Sequence, residues 1–406
     1  MSNVHQKVEP SSPAGARDAT NTGPALLLYA FRPMFLAAAS WAAIALALWL
    51  AAFFGTIELP TRFDPLSWHI HEMLFGFVMA AVTGFLLTAI PNWTGRVPVR
   101  GTRLALLAIL WLLGRIACLI SADLPEWLAP AIDLAFPVTL LAVVAREIIA
   151  GRNWRNLLMT APLTVFAIAD LLMHLEALNV PVPPGLGWRL GIAAPVILIT
   201  VIGGRIIPNF TRNWLVKRQS KRLPAPAGRF DVGCMAVTAL AFILWALFPE
   251  RHATGALLIF AALLGAARLS RWRGLAAWPE KLLFILHVGY GWLAVGTFLL
   301  GLSAFDLGVP TSSAVHALTA GAIGVMILAV MPRVTLGHVG RDLVASRLTV
   351  LAFVLINAAA VARVSASWHT AKMHMLLLIA GALWIAAFAL FDLVYAPMLL
   401  RPRTNP

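Results

Sequence analysis

The stretch WHIHEMLFGFVMAAVTGFLLTAIPNWTGR, residues 68–96, decides how this chain folds. It places two imidazoles and a carboxylate at the mouth of an apolar segment of about twenty residues, the length that crosses a bilayer. Residues two apart on a helix point about 200° away from each other, so His69 and His71 cannot bind one metal if both are helical. They would serve two centres, or one centre and one partner, or end the helix in headgroup-level water. Glu72 follows His69 by three residues and is expected on its face.

Composition extends this conclusion to the whole chain. Of its 406 residues, 60% are hydrophobic and 12% charged, with a mean hydropathy of +0.84, whereas soluble proteins carry about 25% charged residues. The sequence therefore predicts an all-α integral membrane protein. Cys118 and Cys234 stand singly, with no CxxC or CxxCH motif, which leaves an attached c-type haem, a zinc ribbon and a disulfide framework unsupported.

About twelve apolar stretches are long enough to be transmembrane helices. The predicted spans are residues 34–54, 68–90, 103–121, 127–146, 157–177, 188–207, 230–248, 253–268, 281–302, 312–331, 347–366 and 373–398. They form a single predicted transmembrane domain over residues 25–401, between a disordered polar tail at 1–24 and a short tail at 402–406.

Basic residues predict the orientation of these spans. Most Lys and Arg fall on one side, and the other side receives only Arg62, Arg189, Arg251, Arg363 and Lys372. By the positive-inside rule, both termini and both tails are cytoplasmic. The net charge of +14 is therefore explained by topology in a lipid bilayer, and no nucleic-acid partner is expected.

A proline motif recurs at the predicted cytoplasmic ends of the second, sixth and tenth spans. It reads Pro-x-(aromatic or aliphatic)-Thr and occupies residues 91–94, 208–211 and 332–335. The four-span period predicts three four-helix repeats, at about 31–150, 151–270 and 271–400. The alternative is that proline simply marks helix ends. Three arcs of four helices also build the haem-copper oxidase core subunit, which is an analogy of architecture alone.

Several histidines are expected at one depth, in the periplasmic third of the bilayer. They come from the second, fifth and tenth spans: His69, His71, His174 and His316. Imidazole binds both haem iron and copper, although each histidine alone could instead bond a neighbouring helix. His287 lies deeper, from the cytoplasmic side, as a metal ligand or a hydrogen-bonding group.

Charged residues inside the spans predict ion pairs within the membrane. Arg115 and Asp170 fall at similar depth and could pair, with Asp133 as the rival partner of the arginine. Asp170 precedes His174 by four residues and shares its helix face. The pair could orient that imidazole, the arginine could hold a haem propionate, or the pair could be purely structural.

The chain resembles the NnrS family from about residue 31 to residue 401. The resemblance is carried by WHIHEMLFGF, GFLLTAIPNWTGR, GGRIIPNFTRNW, LHVGYGWL, HALTAGAIGVMILAVMPRVTLGHVGR and ALWIAAFALF. It implies a polytopic bacterial inner-membrane protein that contains haem, expected to be b-type, and copper, and that is associated with denitrification and tolerance of nitric oxide. The positions that match the family's recurring histidines and arginines are His69, His71, His287, His316, His338, Arg115 and Arg205, with His174 in a looser pattern.

The leading hypothesis is a haem-copper protein that binds nitric oxide and reduces it to nitrous oxide, protecting against nitrosative stress. Its catalytic residues would be Glu72, Arg115 and Asp170. The residues that would contact the haem cofactor are His71, His287, His316, Arg115 and Tyr290. The metal ligands would be His69, His71, His174, His287 and His316.

Other functions stay open at this point. The protein could bind or sense nitric oxide without turnover, handle haem or copper, or be a secondary transporter, since about twelve helices with repeats also suit transport. No electron-entry motif is present in the sequence. A turnover enzyme would therefore need a separate donor, quinol or a redox protein.

Overall fold

The chain is an all-α, multi-pass membrane protein, as predicted. The computed structural model describes residues 23–305 and 307–402, and it contains no strand in those ranges; residues 1–22 and 403–406 of the predicted tails lie outside the described residues. Twelve described helices are long and apolar enough to cross a membrane: α1 (Phe31–Phe53), α2 (Pro65–Thr94), α3 (Thr102–Leu119), α4 (Leu128–Ala150), α5 (Trp154–Ala177), α6 (Leu186–Lys217), α7 (Arg229–Leu247), α8 (His252–Ser270), α9 (Lys281–Ser303), α10 (Thr311–Val339), α11 (Arg347–Ala366) and α12 (Thr370–Leu400).

Helix α2 has local signals at both ends. The Asp64 side chain caps its start, accepting from the backbone N–H groups of Leu66 at 2.9 Å and Ser67 at 3.1 Å, and Pro65 occupies the first turn. Gly95 ends it with φ 69°, a left-handed conformation that glycine adopts most easily. The helix is therefore longer than the span predicted at residues 68–90, because hydropathy detects the apolar residues but not the local capping signals at the two ends.

The three motif prolines lie inside helices rather than at their ends, which corrects the predicted boundaries. Pro91, Pro208 and Pro332 are interior to α2, α6 and α10. In each motif the threonine hydroxyl donates to the carbonyl four residues earlier: Thr94 to Ile90 at 2.9 Å, Thr211 to Ile207 at 2.8 Å, and Thr335 to Met331 at 2.8 Å. Membrane helices tolerate proline where side chains and neighbours satisfy the freed backbone groups.

Helices α2, α6 and α10 are the innermost elements. The buried share of their most apolar stretch is 78%, 61% and 67%, against 33–56% in the other nine described helices. Consecutive helices pack together, and α1 packs on α12, which closes an outer ring around these three. The outer faces carry exposed apolar side chains, as Leu106, Ile109 and Leu113 do on α3, which suits contact with lipid.

Each inner helix also contains a π-helical segment. The segments are Glu72–Val78 in α2, Ile199–Gly203 in α6 and Ala317–Gly324 in α10. Two carbonyls of these segments accept from side chains of neighbouring helices: Gly76 from the Trp111 indole at 3.0 Å, and Thr200 from Arg268 at 2.9 Å. The three-repeat arrangement and the domain boundaries stay predictions.

Because the number of crossing helices is even, the described chain begins and ends on one side of the membrane, here called the terminal side. Residues near the start of α2 and α10, and near the end of α3, α5 and α11, lie towards the opposite side. The candidate site described next lies at that opposite side.

Candidate metal centre and the cavities beside it

Seven polar side chains form one buried group where α2, α3, α4 and α5 meet. Each is 3% exposed or less. We call this group the polar cluster, and its members are His71, Glu72, Arg115, Cys118, Asp133, Asp170 and His174. The Phe63 ring lies 4.8 Å from the His71 ring and 5.4 Å from the His174 ring, centroid to centroid. Aromatic side chains therefore shield the cluster from water.

Asp133 is the centre of the polar cluster. Its Oδ2 accepts from His174 Nε2 at 3.1 Å and from the Cys118 thiol at 3.3 Å, and it lies 3.2 Å from His71 Nε2. Its Oδ1 accepts from Arg115 Nη2. One carboxylate on α4 thus holds together side chains from α2, α3 and α5.

Arg115 connects Asp133 to Glu72. Its Nη1 donates to Glu72 Oε2 at 2.9 Å. The sequence left Asp170 and Asp133 as alternative partners of Arg115, and the structure pairs this arginine with Asp133. Asp170 pairs with His71 instead, with 2.9 Å between Asp170 Oδ1 and Nε2. The guanidinium therefore bridges α2 and α4.

His71 lies among three carboxylates. Its Nδ1 is 3.1 Å from Glu72 Oε1, and its Nε2 faces both Asp133 and Asp170. A histidine can donate from both nitrogens only as an imidazolium. The cluster sets three carboxylates against one guanidinium, so two negative charges are left for imidazolium groups or a bound cation to balance. Unbalanced buried charge is very unfavourable.

Four members of the polar cluster could hold a metal ion. One ligand atom each from His71, Cys118, Asp133 and His174 lies within 4.8 Å of the other three. Imidazole and thiolate donors suit copper or zinc better than magnesium or calcium. Asp170 Oδ2 is buried and has no hydrogen-bond partner among the described residues, so it is free to accept a proton or to contact a cation.

A cavity of about 350 Å³ adjoins the other face of α2. We call it the histidine cavity, because His69 and His316 both line it. His69 stacks on Trp49 with ring centroids 4.2 Å apart, and its buried Nδ1 has no partner among the described residues. His316 Nδ1 bonds the Ser312 carbonyl at 2.7 Å, which holds the ring with Nε2 pointing away from its own helix.

The histidine cavity has a cation at its edge and apolar walls. Arg363 lines it and donates to Ser312 Oγ at 3.1 Å. Trp384 and Phe77 contribute aromatic surface. Within residues 23–305 and 307–402, no Asp or Glu lines this cavity, so the lining residues suit a flat apolar molecule that carries negative charge at one edge.

Two further cavities continue along the same axis between α2, α6 and α10. A narrow apolar one of about 90 Å³, here called the waist, shares Val78 and Ile323 with the histidine cavity. A cavity of about 410 Å³ at the terminal side shares Phe85 and Val330 with the waist. We call it the arginine cavity, after Arg205 and Arg333 in its wall. Because neighbouring cavities share lining residues, the three cavities lie end to end.

Comparison with known families decides the family. Residues 25–403 match the NnrS family, described as NnrS protein. The chain belongs to the NnrS family. It is therefore a membrane protein of a nitric oxide response family. No curated protein matches the sequence.

The structure separates the residues that the NnrS resemblance grouped. His71, His174, Glu72, Arg115 and Asp170 meet in the polar cluster, whereas His69 and His316 meet in the histidine cavity. Glu72 does not share the surroundings of His69, which corrects the expectation of a common face. The π-helical segment begins at Glu72 and changes the angular step of the helix there.

Two predicted cofactor residues of this NnrS protein lie away from both sites. His287 Nδ1 bonds the Leu283 carbonyl at 3.1 Å and its Nε2 lies 3.2 Å from Thr211 Oγ1. Tyr290 accepts from Arg268 Nη1 at 3.2 Å. Neither residue lines the three cavities. Of the alternatives that the sequence left for His287, these contacts are those of a hydrogen-bonding group.

Sequence reasoning missed several residues that complete these sites. Cys118 follows Arg115 by three residues, so the helical period could have placed both on one face. Arg363 was counted only as a basic residue that helps to predict the orientation of the spans, although an arginine inside a span usually marks a site. Trp41, whose indole donates to Glu72 Oε2 at 2.8 Å, gave no signal in the sequence.

Gly114 makes room for the central carboxylate of the polar cluster. A Cβ at this position would collide with Asp133 Oδ1. We expect Gly114→Ala to destabilise the folded protein by about 1–3 kcal/mol, because overpacking forces neighbours out of their positions. Denaturant unfolding in detergent measures this. The matched control is Gly233→Ala, at a helical glycine with open space around it, where the change is expected to be neutral or stabilising by about 0.5–1 kcal/mol. Equal effects at both glycines would contradict this account.

Proposed function

We propose that this protein binds haem and copper in the bacterial cytoplasmic membrane, and that it binds nitric oxide and reduces it to nitrous oxide. The observation that carries the proposal is the division of α2 into two faces. One face presents His71 to a donor set fit for a metal ion, and the other presents His69 to a cavity with apolar walls. The activity would protect denitrifying metabolism against nitrosative stress.

Copper is proposed in the polar cluster. His71, His174 and Cys118 supply two imidazoles and a thiol, and Asp133 adds a carboxylate. This donor set fits copper. The excess of carboxylates over the single guanidinium of Arg115 also favours a cation here, because it would balance charge that the apolar surroundings cannot solvate.

Haem is proposed in the histidine cavity. The partnerless Nδ1 of His69 and the outward Nε2 of His316 are available to iron. Trp49 and Trp384 offer aromatic surface to a porphyrin, and Arg363 offers a guanidinium to a propionate. The residues present therefore fit the group.

Protons for the reaction are proposed to come through the polar cluster. When bound, haem and copper would supply an open site and electrons for the conversion of two NO, two electrons and two protons into nitrous oxide and water. Glu72 lies 3.1 Å from His71 Nδ1, and Asp170 keeps one buried oxygen without a hydrogen-bond partner, so both carboxyl groups can hold a proton beside the proposed copper ligands. Arg115 holds Glu72 in place. The electrons would come from a separate donor, quinol or a redox protein.

The orientation is proposed from charge. The terminal side carries the basic block from Arg205 to Arg229 and the Arg401–Arg403 end. The positive-inside rule assigns that side to the cytoplasm. The polar cluster and the histidine cavity then lie towards the periplasm.

The proposal is tested by an anaerobic optical spectrum of reduced, detergent-purified protein with metal analysis, before and after addition of NO. Haem bands that shift on NO addition and recover as nitrous oxide appears are the expected result. A stable nitrosyl without nitrous oxide would favour binding or sensing. Transport has its own support in the three cavities joined end to end. A preparation that takes up neither metal would favour it.

The haem site makes a separate prediction. We expect His316→Ala to lower the haem-to-protein ratio to about a tenth or less, since even indirect supports of a metal ligand change affinity 10–100-fold. The Soret absorbance per mole of protein measures it. His252→Ala is the control, because His252 stacks on Phe305 outside the three cavities. Full haem content in His316→Ala would remove this residue from the site.

A further inference from the structure

The arginine cavity lies at the far end of the axis from both proposed metal sites. Its volume is about 410 Å³, within the range of small-molecule sites. Arg205 from α6 and Arg333 from α10 line it, together with His338 and Asn92. Among the described residues, no Asp or Glu lines this cavity. The charges that the described residues contribute to it are therefore positive.

The two arginines of this cavity lack the partners that the buried arginines of the helices, Arg32, Arg115 and Arg268, have. Arg115 pairs with carboxylates, and so does Arg268, while Arg32 donates to three backbone carbonyls at the end of α12. Within the described part of the chain, neither Arg205 nor Arg333 forms an ion pair or a hydrogen bond. Arg205 is exposed and Arg333 is partly buried, so both guanidinium groups are free to bind a partner from outside the chain.

The acid that interacts electrostatically with Arg333 is Glu280, and it does not fill this role. Glu280 precedes α9 and interacts with Arg333 only at a distance. Its carboxylate accepts from the Leu282 N–H at 3.1 Å. Burial raises the pKa of Glu280. Arg333 instead lies over the Phe210 ring, 4.3 Å from its centroid, which leaves its N–H groups free at the ring edge.

Most of the remaining lining residues are apolar, and Thr88 and Asn156 are polar exceptions. Phe85, Ile206, Leu286 and Val330 line it, and Phe85 and Val330 lead on to the waist. A hydrated inorganic anion would leave this surface unused. A molecule with a carboxylate or phosphate head and an apolar body would use both parts, the guanidinium groups binding the head.

We propose that the arginine cavity is a binding site for an amphiphilic organic anion, its acidic head on Arg205 and Arg333 and its apolar body directed towards the waist. The ligand chemistry has two sources: a fatty acid from the bilayer, or a porphyrin with its propionates. Neither arginine belongs to the polar cluster or the histidine cavity, so the site does not depend on the proposed function.

The test is saturable binding of a dansyl-labelled undecanoic acid to the full chain in detergent, followed by fluorescence. We expect the double variant Arg205→Gln/Arg333→Gln to bind it at least about tenfold more weakly, since it loses the charge-assisted hydrogen bonds to the acidic head. Decanoate should displace the probe and neutral decanol should not. The matched control is Arg271→Gln, because Arg271 also lies over a phenylalanine, 4.7 Å from the Phe230 centroid, but outside the cavity.

A second variant keeps the test valid if the double variant fails to fold. Ala89→Phe fills part of the cavity and keeps both arginines, and it should also weaken binding. A lower pigment content in the double variant would identify the natural occupant as a porphyrin, and unchanged pigment would identify a bilayer-derived acid. The proposal is overturned if wild-type protein shows no saturable binding, or if Arg271→Gln loses binding equally.

Discussion

Copper content is expected to fall at least about tenfold when His71 is replaced by alanine, while haem content stays near that of the wild type. The substitution removes the one side chain that touches all three carboxylates of the polar cluster. It takes one imidazole from the proposed copper ligands and leaves the face that carries His69 unchanged. Metal analysis of purified protein, together with the Soret absorbance, measures both quantities in one preparation.

The control for this prediction is His287→Ala. His287 is also a buried histidine inside a helix, but it bonds Leu283 and Thr211 and lies outside the polar cluster. Its replacement should leave copper in place. A normal copper content in His71→Ala would contradict the assignment of copper to the polar cluster. Loss of haem together with copper would mean that both metals share one site, against the two-face arrangement of α2.

The largest loss of stability is expected on replacing Arg115 with glutamine. The guanidinium is 1% exposed and neutralises Glu72 and Asp133. Removing one partner of a buried ion pair destabilises a protein by about 3–5 kcal/mol, because the other charge stays buried without compensation. The free energy of unfolding in a denaturant titration is the measured quantity.

Arg96→Gln provides the comparison for this change. Arg96 is likewise paired with a carboxylate, with 2.6 Å between its Nε and Glu147 Oε2. The Arg96 side chain is 38% exposed, whereas that of Arg115 is 1% exposed. Water reaches the arginine of this pair although Glu147 is buried, so the loss should be smaller than at Arg115, where both sides of the pair are buried. Adding Asp133→Asn to Arg115→Gln should also lower stability by less than the sum of the two single changes, since both act on one contact. Equal losses in the two arginine variants, or strict additivity, would show that Arg115 is not a central ion-pair partner.

Much of the architecture followed from local physics. Hydropathy alone predicted the twelve spans, because a membrane-crossing helix must be apolar over its whole length. The recurring prolines of α2, α6 and α10 indicated which helices resemble one another, although not that each helix continues past its proline. Each helix continues past its proline with a threonine hydroxyl bonded to the carbonyl of the residue before the proline, and hydropathy does not register such contacts.

The arrangement of the candidate site was also predictable only in part. The two-residue spacing of His69 and His71 was enough to predict different faces, since a helix turns by about 100° per residue. The partner of Arg115 was left open between two acids, because depth along a helix fixes height in the bilayer but not rotation about the helix axis. Rotation depends on how α3, α4 and α5 pack.

By itself the sequence determined that the chain is helical and that it lies in a membrane with about twelve crossings, and it predicted that His69, His71, His174 and His316 lie at one depth. Only the tertiary structure decided that Cys118 and Asp133 join His71, that Glu72 turns away from His69, and that His287 and Tyr290 belong to neither site. The reason is physical. Helix periodicity and hydropathy act along the chain, whereas the pairing of buried charges depends on side chains brought together from four separate helices.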